Sequence, residues 1–109
     1  MSGEMQELGT IRSYEDLVGV LRARCDELDI SFRTLDEVAG LADGYAAKLL
    51  APGSMLTMGR GSMAAVLGAL GIALVAVEDP AALERVRSRL QKRRRNGPHR
   101  QPAGRVEAR

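Results

Sequence analysis

The sequence predicts a mostly α-helical fold: a small bundle of four short helices, followed by one short β-strand and a C-terminal amphipathic helix. Three observations predict it. Apolar residues recur at steps of three and four through most of residues 14–70, which is the helical period. The recurring runs are bracketed by helix-starting Ser or Asp and helix-ending Gly. Only Ile72–Glu78, IALVAVE, breaks the rhythm, with β-branched residues at 72, 75 and 77 between turn signals. At 109 residues and 45% hydrophobic content the chain is one domain with tails. Its aromatics are Tyr14, Phe32 and Tyr45, so the core must be Leu, Val, Ala and Met, which also suit helices.

Residues 1–12 are polar and expected to be flexible. Ser13, with Asp16 three residues on, forms a capping-box-like start in which Asp replaces the usual Glu. Tyr14, Leu17, Val18, Leu21, Cys25 and Leu28 then fall on one face of a first helix that ends near residues 26–28. Ser31 is a good N-cap for a second helix. Leu35, Val38 and Ala39 share a face of that helix, and Gly40 supplies the left-handed position needed for a reversal. A third helix is expected from about Asp43 to Leu50, with Leu41, Ala46 and Leu49 closing the core from the other side. Ala51-Pro52-Gly53 stops it. Ser62 can cap a fourth helix over 63–70, burying Val66, Leu67 and Leu70, with Gly71 at its end.

A strand over 72–78 needs a partner for its backbone groups. Thr10-Ile11-Arg12 can supply one within the chain, and a second copy of 72–78 can supply one across a homodimer. Asp79-Pro80 starts the last helix, whose stripe is Leu83, Val86 and Leu90, and which fades through 92–95. The expected organisation is therefore a bundle over 13–71, a strand and helix over 72–91 that can serve dimerisation, and a basic disordered tail over 92–109.

Charge is sharply divided. Residues 1–84 hold 6 Lys/Arg against 13 Asp/Glu, and residues 85–109 hold 10 against 1, so a body of −7 carries an arm of +9. Such an arm is an electrostatic handle for phosphate, or a solubilising tail that folds back on the acidic body.

Residues 31–50, SFRTLDEVAGLADGYAAKLL, are the most informative stretch. An apolar residue opens the first helix (Leu35), a small residue precedes the turn glycine (Ala39, Gly40), an apolar residue follows (Leu41), and another comes late in the second helix (Leu49). This stretch resembles the helix-turn-helix of the Cro/CI-type (lambda-repressor-like, Xre) transcriptional regulators, and the flanking helices extend the resemblance to about residues 14–71. It departs where the family favours alanine after the first apolar residue, at Asp36, and where it often opens the recognition helix with Ser or Thr, at Ala42 and Asp43. A plain helical hairpin is the alternative reading of the same pattern.

The resemblance implies a lambda-repressor-like bundle that binds double-stranded DNA, usually as a homodimer, with the second helix in the major groove. Asp43, Gly44, Tyr45, Ala47 and Lys48 are then the outward residues. Lys48 can donate to guanine or phosphate, Asp43 can accept from cytosine N4, and Tyr45 can either meet a thymine methyl or pack over the turn. Arg33 and Thr34 are placed for the phosphate backbone, as is Arg60 in the Gly59-Arg60-Gly61-Ser62 turn before a helix. Lys92, Arg93, Arg94 and Arg95 form the basic arm.

Catalysis is not expected. His99 lies in the tail, so neither a Ser-His nor a Cys-His pair has a rigid scaffold. The carboxylates Asp26, Glu27, Asp29, Asp36 and Glu37 are spaced like a solvated helix surface. Cys25 is alone, which excludes an internal disulfide and a cysteine-built metal site, and no cofactor motif is present. The acidic, polar start argues against a signal peptide, and the longest uncharged run, 61–77, is too short for a bilayer span of about 20 residues. The reading is a cytoplasmic DNA-binding regulator. The alternative is a protein-interaction module on the same fold, such as an anti-activator or antitoxin, because the outward set is poor in Arg, Asn and Gln.

Overall fold

The computed structural model describes residues 3–93 and divides the chain into two units, 1–75 and 76–109. The first unit holds four helices: α1 (Tyr14–Leu28), α2 (Phe32–Ala39), α3 (Tyr45–Leu50) and α4 (Arg60–Leu70). The second holds α5 (Pro80–Val86) and a 3-10 turn over Arg87–Arg89.

Local chemistry sets the helix ends. Ser13 accepts from the N–H of Asp16, Ser31 from that of Thr34, and Asp79 from that of Ala82, so these three expected N-caps each satisfy a helix-start donor. The Asp16 carboxylate in turn accepts from the N–H of Arg12 at 2.8 Å, one residue before the position that a Glu-built capping box engages. Three C-termini end on a left-handed residue followed by an apolar one: Asp29-Ile30, Gly40-Leu41 and Gly71-Ile72. The N–H groups of Ile30, Leu41 and Ile72 reach back five residues to the carbonyls of Cys25, Asp36 and Leu67, at 2.8 to 3.0 Å. Asp29 does this at φ 57° without being glycine.

The core of the first unit is Leu17, Val18, Leu21 and Cys25 from α1, Leu35 from α2, Ala46, Leu49 and Leu50 from α3, Met58, and Val66 and Leu70 from α4. α1 and α2 each pack against both α3 and α4. Two α1 arginines finish the other helices: Arg22 donates to the Leu50 carbonyl at 3.0 Å and Arg24 to the Leu70 carbonyl at 2.9 Å. These are carbonyls that a helix end leaves without an internal partner.

Several expectations are corrected. No strand is present among the described residues. Residues 72–79 are irregular, and Val75 and Val77 are 70% and 81% exposed. The β-branched pattern alone did not produce a ladder: residues 10–12, the partner expected within the chain, are irregular too, and a strand needs its backbone groups paired. The last helix stops at Val86 rather than fading past 92, and Leu83 and Leu90 of its stripe are exposed. α3 begins at Tyr45, not Asp43, because Gly44 holds φ 83°. α4 begins earlier than expected, at Arg60, with Gly59 rather than Ser62 at its N-cap. Val38 and Leu28, read as core-facing, are exposed, while Asp36, read as solvated, is 2% exposed.

Candidate nucleic-acid interface

The site is built by fixing α3. A six-residue helix cannot hold itself in water, since one turn of hydrogen bonds does not offset the ordering of its backbone. α3 has no side-chain cap of its own, because its N-cap is Gly44. The cap comes from α2. One carboxylate oxygen of Asp36 accepts from the N–H of Gly44 and the other from the N–H of Ala46, both at 2.8 Å. Two donors that the helix start leaves free are thereby satisfied by a buried anion, in the sense favoured by the helix dipole. Gly44 belongs there because its backbone is left-handed. At the other end Arg22 holds the Leu50 carbonyl, and the hydroxyl of Ser54 donates to the Lys48 carbonyl.

The helical spacing then sorts the side chains of α3. Ala46, Leu49 and Leu50 face the core, Tyr45 is half-buried, and Ala47 and Lys48 are exposed. Of the sequence-predicted residues, Arg33, Asp43, Gly44 and Ala47 line one shallow concavity with Phe32 and Asp36, where the starts of α2 and α3 meet. Lys48 lines a second, on the far side of Ala47, with Ala51, Pro52, Met55 and Leu56. Ala47 is common to both, so the two form adjacent hollows along α3.

Thr34 is less free than expected. It is half-buried, and its Oγ1 accepts from the Ser31 hydroxyl at 3.2 Å. Arg60 is exposed at the first position of α4 and lines neither concavity. Lys92 and Arg93 are exposed in the second unit, and Arg94 and Arg95 lie outside the described residues.

Sequence reasoning missed Asp36, Arg22 and Ser54 as the parts that anchor α3. The sequence hides the first, because Asp43 offers a capping side chain of its own just before α3, and only the left-handed Gly44 at the N-cap leaves the helix donors to Asp36. Arg22 and Ser54 carry no local signature, since both bind main-chain carbonyls that any residue offers.

No family model matches the chain, and no curated protein or solved structure matches it either.

Other chemistry is sparse. Among the described residues no group of three or more His, Cys, Asp or Glu could hold a metal ion, and no helix is long and apolar enough to cross a membrane. Cys25 is buried in the core, and burial pushes its thiol above the ordinary range, with the Asp26 charge adding to the effect. The α2–α3 face exposes the Arg33 guanidinium from α2, the Asp43 carboxylate from the turn, and the Lys48 ammonium beside Ala47 from α3.

Proposed function

We propose that the chain is a cytoplasmic, sequence-specific DNA-binding regulator of transcription that presents α3 to the major groove as the second half of a helix-turn-helix. The observation that carries this reading is the anchoring of α3. A helix of six residues is gripped at both ends through its main chain, while Ala47, Lys48 and the preceding Asp43 stay exposed. Groove reading needs that combination of a fixed backbone and free outward side chains. In this reading Lys48 meets a base edge or phosphate, and Arg33 meets the phosphate backbone from the start of α2. Arg60 does the same from α4, and the basic segment that includes Lys92–Arg95 adds non-specific attraction. A homodimer would place two such helices on half-sites one helical turn apart, about 34 Å.

The test is binding of the purified chain to a random duplex pool, with selection and a salt titration. Arg33→Ala should lower affinity for all sequences and reduce the salt slope by about one. Lys48→Ala should relax preference at one position, at about 1–3 kcal/mol. Absence of salt-sensitive duplex binding would overturn the reading.

A second reading is favoured by one observation: the exposed face of α3 holds a single cation, and residues 1–84 carry 13 Asp/Glu against 6 Lys/Arg. A protein-interaction module of the anti-activator or antitoxin kind would tolerate that poverty. It predicts passage through heparin and DNA columns without retention, and retention on a protein partner.

A further inference from the structure

The loop after α3 carries the most exposed large apolar side chain among the described residues, Met55, at 94%. Methionine on a free loop would be an adaptable contact. This loop is tied down on both sides. Gly53 turns the chain at φ 78°, and the Ser54 N–H donates to the Ala51 carbonyl at 3.1 Å. The Ser54 hydroxyl donates to the Lys48 carbonyl and accepts from the N–H of Leu56 at 3.3 Å. Three residues beyond Met55, Met58 is buried and its N–H donates to the Tyr14 hydroxyl at 3.0 Å. The main chain on either side of Met55 is thus fixed relative to α3, which puts this side chain at the edge of the concavity shared with Lys48 and Ala47.

The concavity that these residues share has apolar or uncharged walls except for Lys48. A cationic edge on an apolar hollow suits an anionic partner that also offers a small apolar group. In the major groove that group is the C5 methyl of thymine, with phosphate close by. A bilayer would need far more apolar area than two side chains supply. We propose that Met55 contacts a thymine methyl in duplex DNA next to the position faced by Lys48, making this loop a second reader of sequence. The inference rests on the assignment of α3 to the major groove.

The experiment uses the full chain and the best duplex from the selection above. Each thymine is replaced in turn by deoxyuridine, which removes the methyl group alone, and affinity is read by fluorescence anisotropy. The parent chain should lose about fourfold at one thymine, the factor expected for one buried methyl-sized group. Met55→Ala should bind the thymine and deoxyuridine duplexes equally, and Met55→Leu should restore most of the difference. At 94% exposure these substitutions leave the fold intact. An equal loss in parent and Met55→Ala would assign the methyl to another side chain, such as Ala47, and overturn the proposal. So would the lack of any methyl-sensitive thymine in a duplex that is bound. A chain that binds no duplex would remove the α3 reading itself, an outcome separate from either of these.

Discussion

Replacing Asp36 with alanine removes a carboxylate that accepts two backbone N–H groups at once, at 2.8 Å each, from a site only 2% exposed. A hydrogen bond to a charged acceptor contributes about 1.5–3 kcal/mol, so the pair is worth about 3–6 kcal/mol gross. Truncation also relieves the cost of keeping a charge out of water, which offsets part of this. The Ala46 N–H is left buried with no acceptor, and Gly44 keeps a partly buried one. We expect a net loss of about 3 kcal/mol. For a domain of this size each kcal/mol lowers the melting temperature by about 4–8 °C, so the drop should exceed about 12 °C. Asp36→Asn keeps one acceptor oxygen and turns an NH2 toward the other donor, so it should lie between parent and alanine. Circular dichroism melts give the magnitude, and amide exchange gives the place: Gly44 and Ala46 should lose protection before the amides of α1. An Asp36→Ala chain melting within 2 °C of the parent would refute the claim that α3 is held from α2.

Other outcomes follow from the same geometry. A Cβ at position 40 meets no atom within 4 Å, so the cost of Gly40→Val should be mainly the backbone strain of a β-branched residue at φ 73°, at least about 1–2 kcal/mol in urea unfolding. Asp29→Gly should instead stabilise by about 0.5–1 kcal/mol, because it relieves a left-handed non-glycine residue and removes a negative charge from the C-terminal end of α1. Cys25, with its thiol raised by burial and then by Asp26, should react with a thiol reagent at pH 8 far more slowly than a free cysteine, reaching the free rate only in denaturant. Val75→Lys should change stability by less than about 0.5 kcal/mol, since Val75 is 70% exposed and pairs with no strand.

Much of the bundle is legible in the sequence because its punctuation is local. Ser13, Ser31 and Asp79 each cap through an amide three residues ahead. Gly40 and Gly71 each end a helix in the left-handed conformation that their residue type favours. The failures share the opposite property. Whether Ile72–Glu78 forms a strand depends on a partner elsewhere in space, and β-branched residues alone cannot report its absence. Asp36 looked like surface because carboxylates on helices usually are, yet its acceptors serve amides eight and ten residues away. Leu35 next to it showed which way the helix faces, but not that the turn after Gly40 would bring bare donors over that face. Arg33 and Lys48 are exposed where helical spacing puts them, and Asp43 is exposed in the turn before α3, whereas the loop that carries Met55 has no helical period to place its side chains.

The anchoring of α3 separates two duties that often compete in one helix. Asp36 and Arg22 bind its main chain, and Ser54 does the same at Lys48, so none of the three depends on which side chains α3 displays. Positions 47 and 48 can therefore be rewritten without loosening the element that bears them. A library randomised at these two sites should retain nearly the parent's stability in most members. If α3 reads DNA as proposed, preference can drift there by single substitutions, each intermediate remaining folded, while a change at Asp36 would loosen the helix that bears both positions.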